Sequence, residues 1–331
     1  MSTIIFLTEG KADIKKNNYL RPDMGKSKLS AADMNPKTIV SVGSIALDWL
    51  EFPDGTKGET LGGSLTYFTR SAGILAPVHI VGVVGTDFPK EGMNLFGEYA
   101  ASLEDLQIEE GKSFRWGGRY HDDWENRTTL YTEFGVFETF SPKLSNSNKQ
   151  SSLLYLGNIH PALQLDVLSQ MASDDAVIVC DTMNLWINTT RGDLDKVLER
   201  IDILLLNESE AELLTGIEQV PEAAQAIRTM GPKKIVVKQG GSGSTLISSD
   251  RDFHVDIYPI DKLKDPTGAG DSFAGGLMAA LANGHSLEEG LIWGTASASF
   301  CVEGFGLEAV SYTHLRAHET SLHLVCRLLL E

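Results

Sequence analysis

The sequence predicts an α/β protein whose mostly parallel sheet is covered by helices on both faces. Short, continuously apolar segments alternate with segments of helical periodicity from residue 38 to about 302, which is typical of buried parallel strands and their crossover helices. A glycine-rich turn, Asp265 to Asp271, lies directly before one of the predicted helices. A separate segment, 112–138, combines aromatic residues and arginines with period-two patterning, which predicts additional β structure.

The predicted elements follow one another in the order expected for such a sheet. Strands are predicted at 38–43, 78–84, 153–156, 176–180, 203–206, 235–237 and 253–260. Helices are predicted at 64–72, 91–103, 162–172, 193–200, 208–214, 221–230, 271–282 and 287–302. Ligands bind at the carboxyl ends of parallel strands, so the polar residues expected there are site candidates: Asn158, Asp181, Asn184 and Asn207.

The composition limits the classes of function. The 331-residue chain carries a net charge of −17, which argues against nucleic acid or an anionic membrane as the main partner. Its three cysteines, Cys180, Cys301 and Cys326, form no close pair, which fits a reducing, cytoplasmic location without disulfides or a zinc framework. No segment has the features of a signal peptide or a membrane span, so we expect a small-molecule partner.

Both ends of the chain differ from its central region. Residues 1–33 lack apolar periodicity, and we expect them to form a loose leader before a globular domain at 34–310. The segment 311–331 is atypical, and we interpret it as an artefactual end of the kind that a shifted reading frame produces. His314 and His318 have the spacing of a metal pair on a helix, but no further ligand pattern accompanies them, so we predict no metal there.

The turn Asp265-Pro-Thr-Gly-Ala-Gly-Asp271 predicts an anion site. Gly268 and Gly270 permit backbone angles and close approaches that side chains forbid. The following helix contributes unpaired N–H groups and the positive end of its dipole, which suit a phosphate. Asp271 at the same place is expected to stay ionised and to accept a proton from a substrate hydroxyl. The alternative is a tight strand-to-helix connection with a capping aspartate.

The whole stretch from Asp265 to Gly276 resembles the C-terminal signature of the ribokinase-like (PfkB) family of carbohydrate and nucleoside kinases. The resemblance extends from about residue 38 to 308. It implies a ribokinase-like three-layer α/β/α sandwich with a small β-sheet lid, and ATP-dependent phosphorylation of a hydroxyl on a sugar or sugar-like molecule. In this family the last Asp, here Asp271, is the catalytic base, and Gly268, Ala269 and Gly270 form the anion hole. No P-loop motif is present.

The resemblance also implies a substrate side. It assigns Asp48, Gly62 and Gly63 to the sugar hydroxyls, because a carboxylate accepts hydrogen bonds from adjacent hydroxyls. Asn158 and Asn184 match substrate or phosphate positions only loosely. The structural alternatives are an exposed turn residue for Asp48, a plain helix start for the glycines and polar loop residues for the two asparagines.

The lid implied by the resemblance comprises residues of about 45–60 and 112–138. Its aromatic and arginine residues are predicted to contact substrate, to pack the thin lid or to form a homodimer contact. If Trp116 or Tyr120 stacks on a base, the enzyme is a nucleoside kinase instead. An alternative of another class is a non-catalytic regulator that binds sugar or nucleotide.

On the nucleotide side, the resemblance places Mg²⁺ near Asn207 and Glu210, largely through water. The same two residues also fit an ordinary capping box, which the sequence favours. The loop containing Lys238, Gly240 and Gly243 resembles an ATP-binding loop, with a plain hairpin turn as the alternative. The resemblance further places Thr295 near the adenine, and it gives Asp265 and Thr267 part of a monovalent cation (K⁺) site, for which we favour no ion.

Overall fold

The computed structural model of the protein describes residues 35–124 and 126–307. Its main sheet has nine strands in the order β13-β12-β11-β10-β9-β8-β1-β4-β5. Neighbouring strands from β5 to β11 pair in parallel, and β12 and β13 add an antiparallel edge. The strands are β1 (Ile39–Val42), β4 (Val78–Gly85), β5 (Ser102–Glu109), β8 (Leu153–Leu156), β9 (Val177–Asp181), β10 (Ile203–Asn207), β11 (Lys234–Lys238), β12 (Ser244–Ile247) and β13 (Phe253–Val255).

Two apolar cores, one on each face of this sheet, confirm the three-layer sandwich. Leu153 belongs to the core of one face and Leu154 to that of the other, and this alternation recurs along the buried strands. One core includes residues of α1 (Ser64–Ala72), α2 (Lys90–Tyr99), α8 (Ala269–Ala282) and α9 (Leu287–Cys301). The other includes residues of α3 (Pro161–Gln170), α4 (Asn184–Thr189), α5 (Arg191–Leu198), α6 (Glu208–Thr215) and α7 (Val220–Arg228).

A separate four-stranded sheet forms the predicted lid, in the order β3-β2-β6-β7. Its strands are β2 (Ala46–Glu51), β3 (Lys57–Gly62), β6 (Phe114–Tyr120) and β7 (Arg127–Glu133). The central pair, β2 and β6, is parallel, and both outer pairs are antiparallel. The lid therefore joins the two segments, near 45–60 and 112–138, in which it was predicted.

Three element predictions were wrong. The helix expected at 91–103 ends at Tyr99, and β5 follows, because an edge strand buries too little to show a continuous apolar run. The strand expected at 253–260 pairs only over Phe253–Val255, because its partner β12 begins at Ser244, which is opposite Val255. The alternative that Asn184 is a loop residue was wrong, because Asn184 begins α4, a helix that was not predicted.

The predictions for the two ends cannot be compared with the structure. The leader at 1–33 and the tail at 311–331 lie outside the described residues. In the part of the chain that is described, no helix is both long and apolar enough to span a membrane.

Candidate active site

The predicted anion hole lies at the N-terminus of α8. Gly268 caps this helix in the left-handed conformation, with φ 74°. The Ala269 N–H donates to Pro266 O at 3.3 Å, and the Ser272 N–H donates to Gly268 O at 2.8 Å. The N–H groups between them, of Gly270 and Asp271, belong to the open end of the helix, where no intrahelical acceptor exists. The anion hole of Gly268, Ala269 and Gly270 stays a prediction. Of the neighbouring N–H groups, that of Ala269 already has a carbonyl acceptor and that of Asp271 hydrogen-bonds to its own carboxylate.

Gly268 is required for two physical reasons, its left-handed backbone conformation and the close approach of Tyr67. Gly216 shares only the first of them, so comparing the two glycines distinguishes the two effects. A Cβ at Gly268 would overlap the ring of Tyr67, whereas Gly216, with the same φ of 74°, has no atom within 4 Å of a Cβ. We expect Gly216→Ala to lower the free energy of unfolding by about 1 kcal/mol through backbone strain alone. Gly268→Ala should lower it by at least about 2 kcal/mol, because the buried Tyr67 must also shift.

Denaturant unfolding of both variants measures this difference. Equal losses of stability in the two variants would show that Tyr67 imposes no constraint at Gly268. We also expect only Gly268→Ala to lower turnover, since it displaces the open N–H groups of α8.

Asp265 holds the turn in place. Its Oδ1 accepts the Thr267 N–H at 2.8 Å and its Oδ2 accepts the Gly306 N–H at 2.7 Å, so both carboxylate oxygens have backbone donors. The Thr267 hydroxyl lies 2.9 Å from the hydroxyl of Tyr120, on lid strand β6. These contacts give Asp265 and Thr267 structural roles beside the anion hole, and they join the hole to the lid.

Asp48 faces the cleft from strand β2 of the lid. It is only 5% exposed, so the alternative of an exposed turn residue was wrong. A Cβ at Gly62 would collide with the Asp48 carboxylate, and the Gly63 N–H hydrogen-bonds to it. Gly63 also caps α1, with φ 88°, so the predicted helix start and the predicted close approach coexist.

Asp48 and Asp271 influence each other electrostatically across the cleft. Burial raises the pKa of Asp48 to about 7, and the negative charges of Asp265 and Asp271 add to the effect. Burial, followed by the charge of Asp181, raises the pKa of Asp271 to about 7, against the opposing effects of Lys238 and Arg127. Asp271 is therefore less readily ionised than its position at the helix terminus alone predicts, because desolvation outweighs the helix dipole.

Lys238 and Asp181 form a buried ion pair beside the anion hole. The Lys238 Nζ lies 2.8 and 3.1 Å from the two Asp181 carboxylate oxygens, and a Cβ on Gly270 would lie 3.1 Å from the same nitrogen. Asp181 was noted at a strand end but not placed in the site. Gly240 and Gly243 lie in the tight connection of the β11–β12 hairpin, and their contact with ATP stays a prediction.

Asn207 and Glu210 form the predicted capping box of α6. The Asn207 Oδ1 accepts the Glu210 N–H at 2.8 Å, and Glu210 Oε2 accepts the Asn207 N–H at 2.8 Å. Burial raises the pKa of Glu210, whereas the nearby charge of Lys238 lowers it. The box therefore adjoins the Lys238–Asp181 pair, and one oxygen of Glu210, Oε1, remains outside the box.

Of three other candidates, two form hydrogen bonds with neighbouring elements and the third is exposed. The Asn158 Oδ1 accepts a hydrogen bond from the Trp186 Nε1 at 2.8 Å, and Asn184 is an exposed residue in the first turn of α4. The Thr295 hydroxyl, 4% exposed, lies 3.1 Å from the Ser244 hydroxyl. Their described contacts link α4 and α9 to neighbouring elements and do not reach Asp48 or Asp271.

The inner face of the lid carries an aromatic cluster that the sequence did not resolve. The Phe52 ring stacks on Tyr120 at 5.3 Å and on Trp124 at 5.5 Å between centroids. Phe305, after α9, meets Phe52 edge-on at 5.9 Å. Trp116 pairs with Asp48 across β2 and β6, and its six-membered ring fills the space beside Gly118. The Tyr120 and Phe305 contacts attach the lid to the loops that follow β13 and α9.

Comparisons with known proteins agree with this fold. The sequence model described as pfkB family carbohydrate kinase matches residues 39–313. A cytidine kinase of Thermococcus kodakarensis is 29% identical over 255 residues, covering 76% of this chain and 91% of its own. A solved ribokinase of Arabidopsis thaliana, complexed with ribose and ATP, superposes with a TM-score of 0.72 at 21% identity, covering 88% of this chain and 99% of its own.

A second solved structure, the nucleoside kinase of Methanocaldococcus jannaschii, superposes with a TM-score of 0.68 at 20% identity, covering 82% of this chain and 94% of its own. At such identities the structures establish the ribokinase fold, and the family match establishes membership. The match spans most of the chain and includes every residue of the α8 turn and of the lid. The chain belongs to the pfkB family of carbohydrate kinases, which are phosphotransferases.

Proposed function

We propose that this enzyme transfers the γ-phosphoryl group of ATP to a hydroxyl of a sugar or sugar-like molecule, with Asp271 as the base. One observation carries this assignment: Asp271 lies in the first turn of α8, beside open N–H groups and within electrostatic reach of Asp48 on the lid. The Asp271 carboxylate takes the hydroxyl proton, and the acceptor oxygen bonds to the γ phosphorus. The bond to the β–γ bridging oxygen breaks, and ADP leaves with that electron pair.

The residues on the nucleotide side fit ATP with Mg²⁺. Within the described ranges, no group of three or more His, Cys, Asp or Glu side chains could hold a metal ion by itself. Mg²⁺ usually binds proteins through one or two carboxylates plus substrate phosphates and water. Glu210, through the oxygen outside the capping box, and Asn207 would hold it there. Bound Mg²⁺ would neutralise charge on the phosphates.

Lys238 supports ATP as the donor. Its ammonium adjoins Gly270 at the anion hole, and although burial opposes its charge, Asp181 raises the pKa of Lys238. It therefore stays positive where phosphate oxygens would lie. Asp265 already has a backbone donor on each carboxylate oxygen, which favours a site that works without K⁺. Thr295 and the glycines of the β11–β12 hairpin stay predictions for the nucleoside part of ATP.

The acceptor is best described as neutral and rich in hydroxyls. Asp48, with Asp271 and Asp265 in its electrostatic surroundings, gives the cleft a carboxylate-rich acceptor side. Carboxylates accept hydrogen bonds from hydroxyls and repel anionic acceptors. A homodimer contact through the lid stays a prediction. Such a contact would cover the exposed side chains of Leu130, Tyr131 and Phe134.

A nucleoside is the second candidate acceptor, because a cytidine kinase is among the relatives and Trp116 lies on the inner face of the lid. Of the two aromatic candidates, the structure favours Trp116. The Tyr120 ring is already stacked on Phe52, and its hydroxyl contacts Thr267. A base that stacks on Trp116 must displace Arg127, whose guanidinium lies 5.5 Å from the ring centroid.

ADP release tests the proposal. The full chain would be assayed with Mg·ATP and a panel of sugars, sugar acids and nucleosides. We expect turnover with at least one neutral sugar or nucleoside and none with sugar acids. Preferred turnover of a sugar acid would contradict a neutral acceptor. Heat stabilisation by ATP or a sugar without ADP release across the panel would instead support a non-catalytic binding protein.

A further inference from the structure

The lid carries three arginines with different partners. Arg115 pairs with Glu59 at 3.0 Å and with Asp87 at 3.1 Å, and Arg119 pairs with Glu51 at 2.6 Å. Arg127, the first residue of β7, has no carboxylate within 4.0 Å among the described residues. Its described side-chain contact is with the ring of Trp116. Arg127 is therefore a lid cation whose charge the lid itself does not neutralise.

Strand register places Arg127 on the inner face of the lid. Arg127 pairs with Tyr120, whose hydroxyl reaches Thr267 at the anion-hole turn. Trp116, which shares this face, is fixed by a 3.3 Å hydrogen bond from its Nε1 to the Thr129 hydroxyl. Side chains alternate along a strand, so Arg115 and Arg119 occupy the opposite face, where they meet acidic residues. Only Arg127 of the three faces the cleft.

The charge of Arg127 reaches both sides of the cleft. It acts on Asp48 on the lid, on Asp271 at the start of α8 and on Glu210 at the start of α6. In all three carboxyl groups, burial has the largest effect and raises the pKa, whereas the charge of Arg127 lowers it. The other cation that acts on Asp271 is Lys238, which is bound to Asp181 through both carboxylate oxygens. Arg127 is thus the cation left uncommitted near the proposed base.

We propose that Arg127 is a catalytic residue that the lid supplies: its guanidinium contacts the oxygens of the transferring phosphoryl group. This inference rests on the kinase function proposed above. A planar guanidinium forms paired hydrogen bonds with phosphate oxygens, and charge spreads over these oxygens as the phosphoryl group moves from ADP to the acceptor. The surrounding carboxylates would otherwise repel those oxygens. Trp116 is a positioning residue, because it holds the guanidinium over the cleft.

Lid variants test this role with the acceptor that the wild-type enzyme turns over. We expect Arg127→Gln to lower kcat about 10- to 100-fold, the range for a lost hydrogen bond to a charged group, with the acceptor KM changed less than about threefold. Arg127→Lys should recover part of kcat, since it keeps the charge but not the planar fork. Arg119→Gln is the matched control, because Arg119 is 59% exposed on the opposite face and should leave kcat unchanged.

The possible outcomes separate this inference from the function on which it depends. A wild-type enzyme without turnover overturns both. Normal kcat in Arg127→Gln, beside an active wild type, overturns only the role of Arg127. A rise in acceptor KM with unchanged kcat would also overturn it, because Arg127 would then bind the acceptor rather than the transferring group.

Discussion

Asp271→Asn is expected to lower kcat by at least ~10²-fold, the usual scale for a lost general base. Asparagine has nearly the same shape as aspartate, so the first turn of α8 keeps its packing. It cannot take a proton from the acceptor hydroxyl. The loss should appear in kcat and kcat/KM alike, because the proton is transferred only as the phosphoryl group moves.

Steady-state ADP release with saturating Mg·ATP measures this effect, and circular dichroism confirms that the variant is folded. Asp193→Asn is the matched control. Asp193 also lies in the first turn of a helix, α5, but there it pairs with Lys196 at 2.8 Å, away from the cleft. A folded Asp271→Asn enzyme with near-normal kcat would show that the proton is accepted elsewhere.

The raised pKa of Asp271 also fixes the direction of the pH dependence. A base works only when it is ionised, and burial together with Asp181 raises the pKa of Asp271 to about 7. Below that value kcat/KM should fall at least tenfold per pH unit, because Asp48, whose pKa is also raised to about 7, loses its charge in the same range, and above it the profile should level off. A profile that is flat from pH 5 to 8 would contradict a base with this pKa.

Much of the fold was predictable because the buried strands have a simple signature. Leu153–Leu156 and Ile203–Asn207 are almost wholly apolar, since both faces of the sheet are covered by helices. Edge strands lack this signature. β5 mixes half-buried and exposed residues, and only three residues of β13 pair with β12. The prediction therefore missed β5 and made β13 too long.

The site was predictable where chemistry is local in sequence, and less so where it depends on contacts between distant segments. The α8 turn and the capping box of α6 are each contained in a few residues. The Lys238–Asp181 pair joins residues 57 positions apart, and the Tyr120–Thr267 contact joins residues 147 apart. Asp181 could be noted in the sequence only as a polar residue at the end of a predicted strand. Nothing in the sequence showed which face of the lid Arg127 occupies.

Asp48→Asn is expected to lower kcat/KM at least ~10²-fold, because it would weaken the charge-assisted hydrogen bonds that we propose between Asp48 and the acceptor hydroxyls. The same substitution should stabilise the free enzyme at high pH. Burial raises the pKa of Asp48 to about 7 from an ordinary value of 3.8. Above pH 3.8 the unfolded chain releases this proton, whereas the folded chain keeps it up to about pH 7, so stability falls as the pH rises through this window.

Thermal and denaturant unfolding at pH 5 and pH 8 measure the second effect. The amide introduced by Asp48→Asn is neutral throughout, so the advantage of the variant over the wild type should grow with pH and reach at most about 4 kcal/mol at pH 8, the free energy that corresponds to this rise in pKa. Asp195→Asn, at a side chain 48% exposed, is the control for changing carboxylate to amide, and it should show no such gain. A variant that loses activity but gains no stability at pH 8 would mean that Asp48 is ionised at little cost. Loss of activity with gain of stability would show that the cleft retains a buried carboxylate for binding its acceptor, at the expense of the fold.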